Sequence, residues 1–462
     1  MKRILTLMLG VAFILGAATQ SSAVEVQVSG EMDTIFGFSD NSGFSKEDEN
    51  DHFFARQRYR INVEFIASEN LRGVMQFQIG TMEWGNAEDG AQLDTTSASA
   101  KIRRAYVDWK VPDTALNVKM GLQYIGLPSA VFGNPFFGAN AAGVVVSAGL
   151  NDNITLSGIW SRPWKDTSVS LKDNDTDMFA IVADFSYDDF TVSPWFSYTR
   201  AGAHSGFWTE GYGPEHPVYW TGETSSAYGL TYDESGRSNI WAGGIALSVS
   251  PIDDLEIKFD GMYAKLDNDG RTSTTMAPEA DGWLVALAVD YSMDWGTPGA
   301  FIWYASGDSK SDQANHKSGR MPILGGDDGF GATRLAFPGA YSAGEDTWVS
   351  TSGVGTWGLG FQIADVSFVE DLTHLFRIAY FQGTNHKNAV PDLLTGEGVY
   401  MTKRDWAVEV DFDTEYKIYE NFSTILELSY IYMDIDNKSG EYRGSNEDEN
   451  AWNAQVTFSY AF

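Results

Sequence analysis

From residue 25 onward the chain alternates between apolar and polar positions. In Glu25–Phe38, Val26, Val28, Met32, Phe36 and Phe38 interleave with Gln27, Ser29, Glu31 and Asp33. In 55–67, Tyr59, Ile61, Val63 and Phe65 interleave with Arg56, Arg58, Arg60, Asn62 and Glu64. The pattern returns in Leu116–Tyr124 and Leu255–Tyr263. It returns again in Trp406–Tyr416, where Glu409, Asp411, Asp413 and Glu415 hold the polar positions. It is plainest at the end, where Trp452, Ala454, Val456, Phe458, Tyr460 and Phe462 share one face. A period of two is the signature of a β-strand with unlike faces. Strands of about ten residues with charges regularly on one face suit a wall between lipid and water.

The connections alternate in length. Short turns are expected at 68–71, 112–115, 151–153, 188–189, 251–254 and 417–421. Long polar or Gly-rich loops are expected at 39–53, 85–100, 163–177, 201–238, 266–280, 308–355 and 384–403. That rhythm belongs to an up-and-down meander with one short-turn, periplasmic rim. Eighteen segments qualify as strands: 25–38, 54–67, 72–84, 101–111, 116–124, 142–150, 154–162, 178–187, 190–200, 239–250, 255–265, 281–291, 298–307, 356–366, 374–383, 404–416, 422–434 and 450–462. Segment 142–150 and the Pro194-containing 190–200 are the weakest, since Pro cannot donate to a ladder. Losing one adjacent pair would leave sixteen. The expected fold is therefore all-β, a transmembrane antiparallel up-and-down barrel of eighteen strands, alternatively sixteen. Closure is required because every backbone polar group at membrane depth needs a partner. A barrel of this size is too wide for wall side chains to fill, so an aqueous channel is expected.

Composition adds an address. Lys2 and Arg3 precede an apolar run from Ile4 to Ala18, followed by Ser21-Ser22-Ala23, the layout of a secretory signal peptide. Residues 1–23 are read as that leader and 24–462 as a single barrel domain. Beyond the leader no apolar stretch reaches the length of a transmembrane helix, about twenty residues. The chain has no cysteine, which excludes disulfides, thiolate metal sites and a Cys nucleophile. Its net charge is −32, against the basic footprint that nucleic acid needs. A hydrophobic content of 43% is wrong for a disordered acidic chain.

Candidate chemistry lies on the polar face. Arg56, Arg58 and Arg60 form a ladder with steps of about 6.6–6.8 Å. Arg104 with Tyr106 and Asp108, and Lys119 on the next strand, are expected to point inward beside them. Like charges this close need screening by water or carboxylates. The group is expected to set the size and field of the pore; the alternative is that its members pair with Glu64, Asp108 or loop acids and merely line a wet wall. Tyr124–Asn151 contains no charged residue although 20% of the chain is charged. Its part 125–142, with Phe132, Asn134, Phe136 and Phe137, is expected to fold into the barrel mouth, because an exposed apolar loop is an association hazard. Acidic clusters at Glu47–Asp51, Asp173–Asp177, Asp267–Asp269, Asp327–Asp328 and Glu447–Glu449 are solvated loops or bridge through divalent cations to lipopolysaccharide, since hard cations select carboxylate oxygen. None has the spacing of a calcium-binding loop, and no metal site or cofactor is expected.

Enzymatic readings find no support. GVGTWG at 353–358 fits the dinucleotide pattern literally but precedes a strand and opens no helix. The six histidines stand apart from any nucleophile pattern.

The leader, the arginine ladder, Phe77–Gly80, Ala105–Trp109 and Leu116–Gln123 followed by an uncharged loop together resemble Gram-negative trimeric outer-membrane porins. The ending SYAF with Phe462 resembles the C-terminal signature read by the outer-membrane assembly machinery, with Phe458 and Tyr460 on the same face. Overall the chain looks most like the outer-membrane homotrimeric porins of sulfate-reducing bacteria. The resemblance implies a homotrimer, passive diffusion of small hydrophilic solutes, and a basic constriction wall of Arg56, Arg58, Arg60, Arg104 and Lys119. General porins place carboxylates on the third loop opposite that wall; here 125–142 has none, so their selectivity does not carry over.

Overall fold

A computed structural model of the chain describes residues 24–40, 52–87, 89–94, 100–165, 175–202, 237–268, 279–312, 317–325, 329–339, 349–350, 352–387, 401–436 and 450–462. The leader and the acidic clusters at 47–51, 327–328 and 447–449 lie outside these residues, as does part of those at 173–177 and 267–269.

The strands are β1 (Glu25–Asp40), β2 (His52–Ser68), β3 (Leu71–Glu83), β4 (Ala100–Lys110), β5 (Leu116–Gly126), β6 (Gly138–Asn151), β7 (Ile154–Trp164), β8 (Thr176–Tyr187), β9 (Phe190–Gly202), β10 (Arg237–Ile252), β11 (Leu255–Asn268), β12 (Glu279–Tyr291), β13 (Thr297–Ala305), the two-residue β14 (Lys317–Ser318), β15 (Thr356–Val369), β16 (Leu372–Gly383), β17 (Trp406–Tyr419), β18 (Phe422–Asp434) and β19 (Asn450–Ala461). Each wall strand pairs antiparallel with its neighbour in sequence, and β1 pairs with β19 to close the ring. The short β14 lies in a loop and adds a parallel pairing to β12, while β13 pairs directly with β15. Eighteen strands therefore form the wall, and the sixteen-strand alternative is set aside. Both weak segments are strands. Pro194 sits opposite Ile245 within β9, on the outward face that also carries the exposed Phe196.

Closure is tight at the C-terminus. Gly30 and Phe462 exchange backbone hydrogen bonds of 2.9 and 3.0 Å, and Met32 stands opposite Tyr460. The Phe462 ring stacks on Tyr460 at 5.8 Å. The outward face is apolar and exposed around the ring, including Phe179, Ile181, Phe196, Ile302, Phe361, Ile378 and Tyr430, which is the lipid-facing band of a membrane barrel. Toward the long-loop rim, outward aromatics tether their polar atoms across strands: the Trp160 indole N–H donates to Asp177, Trp357 to Gln382 and Trp406 to Asp434.

The inward face departs from the simple expectation of a wet wall. From β9 to β18 many inward side chains are apolar and fully buried, among them Ile240, Leu266, Leu284, Trp303, Phe381 and Ile431. In β13, Phe301 and Trp303 point in while Ile302 and Tyr304 point out, so both faces are greasy and the period-two contrast disappears. The cause is a second layer of protein inside the barrel.

Candidate functional site: the lumen and its two walls

Two segments from the long-loop rim enter the lumen. The first is 127–137, shorter than expected because β5 runs on to Gly126 and β6 begins at Gly138. The second includes 319–325 and 329–339. They join each other directly: the Leu324 N–H donates to the Phe136 carbonyl at 2.8 Å and the Gly331 N–H to the Phe132 carbonyl at 2.7 Å. Phe137 and Gly325 form a parallel bridge. Phe132 and Phe330 meet edge to face at 4.7 Å.

Each segment is also fixed to the wall. The Asp260 carboxylate on β11 accepts the Ser129 hydroxyl at 2.6 Å and the N–H groups of Ala130 and Val131 at 2.8 and 2.9 Å. Asn134 braces the loop from within, donating its amide to the Pro128 carbonyl and accepting the Phe136 N–H. Phe136 is fully buried and stacks on Trp195 of β9 at 5.9 Å. Across the lumen, the Glu409 carboxylate on β17 accepts three successive N–H groups, Arg334, Leu335 and Ala336, at 3.0, 2.6 and 3.0 Å. The Arg334 guanidinium pairs with Asp413 at 2.7 Å and Glu427 at 2.5 Å. These two carboxylates hold its charged form, pushing its pKa further up against the opposing effect of burial.

Glycines on the wall make room for this layer. A β-carbon on Gly358 or Gly360 would run into the rings of Trp303 and Phe301 respectively. Trp303 then packs against both Phe330 and Phe337 of the second segment.

The arc from β1 to β5 carries a dense set of charges, beside pairs elsewhere on the wall such as Lys258–Asp290 and Arg377–Asp411. Arg56 pairs with Glu83 at 3.2 Å and lies 4.6 Å over the Phe54 ring. Arg58 is 7% exposed and faces Asp33 at 3.4 Å and Glu31 at 3.9 Å. Asp33 also accepts the Ser459 hydroxyl at 2.8 Å, which ties the ladder to the closing strand. Arg60 donates to the neutral Gln78 side chain at 3.1 Å. Glu64 and Asp108, the ladder's partners in the alternative reading, are instead engaged by Arg72 on β3, at 3.1 and 2.9 Å. Asp108 stands directly opposite Lys119, and Tyr106 shares the inward face of β4 with it.

Arg104 is a correction. The β3–β4 register shifts between Gln76↔Arg104 and Phe77↔Ile102, leaving Arg103 as the extra residue of a bulge. A bulge re-aims the side chains around it. Arg103 turns inward and donates to Gln76 at 3.1 Å. Arg104 instead donates to Asn140 at 2.8 Å and lies over the Tyr124 ring at 5.6 Å. Tyr124 and Asn140 are paired on the outward face of β5 and β6. The adjacent arginines in the sequence were the only signal that alternation breaks here. Arg72, Glu31, Asp33 and Glu83 carry no local signal of their role, because it depends on cross-strand register. Among the described residues no group of three or more His, Asp or Glu is placed to hold a metal ion.

No family model matches the sequence, and no curated protein matches it. The fold, by contrast, matches solved structures over nearly the whole chain. OccAB3 of Acinetobacter baumannii superposes with a TM-score of 0.55 at 11% identity, covering 95% of this chain and 99% of that chain. OpdQ of Pseudomonas aeruginosa gives 0.54 at 12%, with 95% and 99% covered. OpdK of Pseudomonas aeruginosa, solved with vanillate, gives 0.51 at 11%, with 95% and 98% covered; it is described elsewhere as an outer membrane protein. The shared barrel is what identities this low establish. One of these structural neighbours, OpdK, is thus an outer membrane protein, while the likeness to porins of sulfate-reducing bacteria rests on sequence motifs alone.

Proposed function

We propose that the chain is an outer-membrane porin, a water-filled channel for passive diffusion of small hydrophilic solutes and ions, with no chemistry of its own. One observation carries this reading. In a closed eighteen-strand barrel with a lipid-type exterior, the two lumen segments cover the apolar arc, and the densest inward charge lies on the β1–β5 wall, with further pairs at Lys258–Asp290 and Arg377–Asp411. That wall is nearly balanced: Arg56, Arg58, Arg60, Arg72, Arg103 and Lys119 face Glu31, Asp33, Glu64, Glu83 and Asp108. Arg60, bonded to a glutamine side chain, is the residue through which it would favour anions, and the preference should be weak. Purified protein in planar bilayers should give ohmic channels with a small anion-side reversal potential in a salt gradient. Absence of channels from folded protein would overturn the reading.

A second reading, a channel restricted to one solute class, is favoured by how much of the lumen the two segments occupy. OpdK was solved with vanillate, an anion that the arginines of this wall would receive. Saturable block of current by one solute, absent for others of equal size, separates the two.

The remaining associations belong to the same proposal. Export would use residues 1–23, and assembly would use Phe458, Tyr460 and Phe462. The long acidic loops would meet lipopolysaccharide through divalent cations. A homotrimer, resting on the porin motifs, would bury outward surface of the early strands, where Arg104 would otherwise meet lipid.

A further inference from the structure

Resting on the channel reading, we infer that Glu409 is a positioning residue for the passage, a carboxylate clasp that keeps the 329–339 segment inside the barrel. The acid is 1% exposed on the inward face of β17, and its two oxygens serve three consecutive backbone N–H groups. No alternative partner for those N–H groups is offered by the apolar side chains around them, Leu335, Ala336 and Phe337, all buried. The clasp is double, because Arg334 at its start spans Asp413 on β17 and Glu427 on β18. Glu427 and Asp413 stand opposite each other in the ladder, so one guanidinium bridges two adjacent strands. The effect passes to the first segment through the Gly331–Phe132 and Leu324–Phe136 hydrogen bonds. Release of Glu409 would therefore loosen both segments while leaving the barrel ladder untouched.

The cysteine-free chain allows a direct test. Ala336→Cys places a thiol at a fully buried position beside the clasp. In otherwise wild-type protein it should resist a charged, membrane-impermeant thiosulfonate reagent. With Glu409→Gln added, labelling should accelerate about tenfold or more, the change that roughly 1.4 kcal/mol of lost anchoring produces. Glu409→Gln alone should raise channel conductance and open-state noise, and Glu409→Asp should restore most of the wild-type values. Arg334→Gln serves as a second variant should Glu409→Gln fail to give the heat-modifiable folded barrel. Equal labelling rates in both backgrounds, with folded barrel verified, would overturn the clasp. Absence of channels in the wild type would instead overturn the function reading, and the labelling comparison would still stand or fall by itself.

Discussion

Asp260 holds Ser129 by a 2.6 Å hydrogen bond across 131 residues of sequence, and the same carboxylate takes two backbone N–H groups of that loop. Asp260 is 2% exposed. Asp260→Ala strands three part-buried donors, and a fully buried donor left unpaired costs about 1–3 kcal/mol, which is the upper bound for each. Ser129→Ala removes the hydroxyl bond and, with it, the acceptor of the Gly133 N–H, and should cost less than half as much. Unfolding midpoints in urea with detergent should rank wild type, Ser129→Ala, then Asp260→Ala.

Arg58 and Asp33 form a pair buried on both sides. Removing one partner of such a pair costs about 3–5 kcal/mol, because the other charge is left without compensation. Arg58→Ala and Asp33→Ala should each destabilise strongly. The double variant should cost clearly less than the sum of the two, a coupling that a double-mutant cycle measures. Glu31 and Ser459 also reach this pair, so the cycle should not recover the whole effect.

Gly30 is where the barrel closes. A β-carbon there would sit 2.5 Å from the Arg60 carbonyl oxygen and 2.7 Å from the Phe462 ring. Gly30→Val should therefore displace the terminal ring and weaken the β1–β19 seam, at about 1–3 kcal/mol by the usual cost of overpacking. The heat-modifiable band on gels should shift at a lower temperature, whereas Val28→Ala, two residues away on the exposed outward face, should leave it near its wild-type value.

Arg60→Gln should move the reversal potential toward cations and should lower the anion preference more than Arg56→Ala or Arg58→Ala. The reason is that Arg56 and Arg58 are matched by carboxylates within 4 Å. The difference between variants should shrink at 1 M salt, where the screening length falls to about 3 Å. Reversal potentials measured at two salt levels check both statements.

The wall was legible along the chain. Period-two alternation names the lipid face of strands such as β1, β2, β5 and β19, and the short-turn rhythm orders them, because both are local consequences of pleat and hairpin geometry. The sequence also marked Phe132, Asn134, Phe136 and Phe137 as a segment needing shelter. What fills the barrel and which charges meet depend on contacts made in the folded chain. The inward Phe301 and Trp303 make sense only beside Phe132, Phe330 and Phe337, which come from elsewhere in the chain. Arg58 finds Asp33, Arg72 takes Glu64 and Asp108, and Arg103 replaces Arg104, through register and one bulge. Glu409 was visible as an inward acid, but its partners at 334–336 lie more than seventy residues away. Alternation is written along a strand; a contact across the lumen depends on where two distant segments come to rest, and no local pattern encodes that.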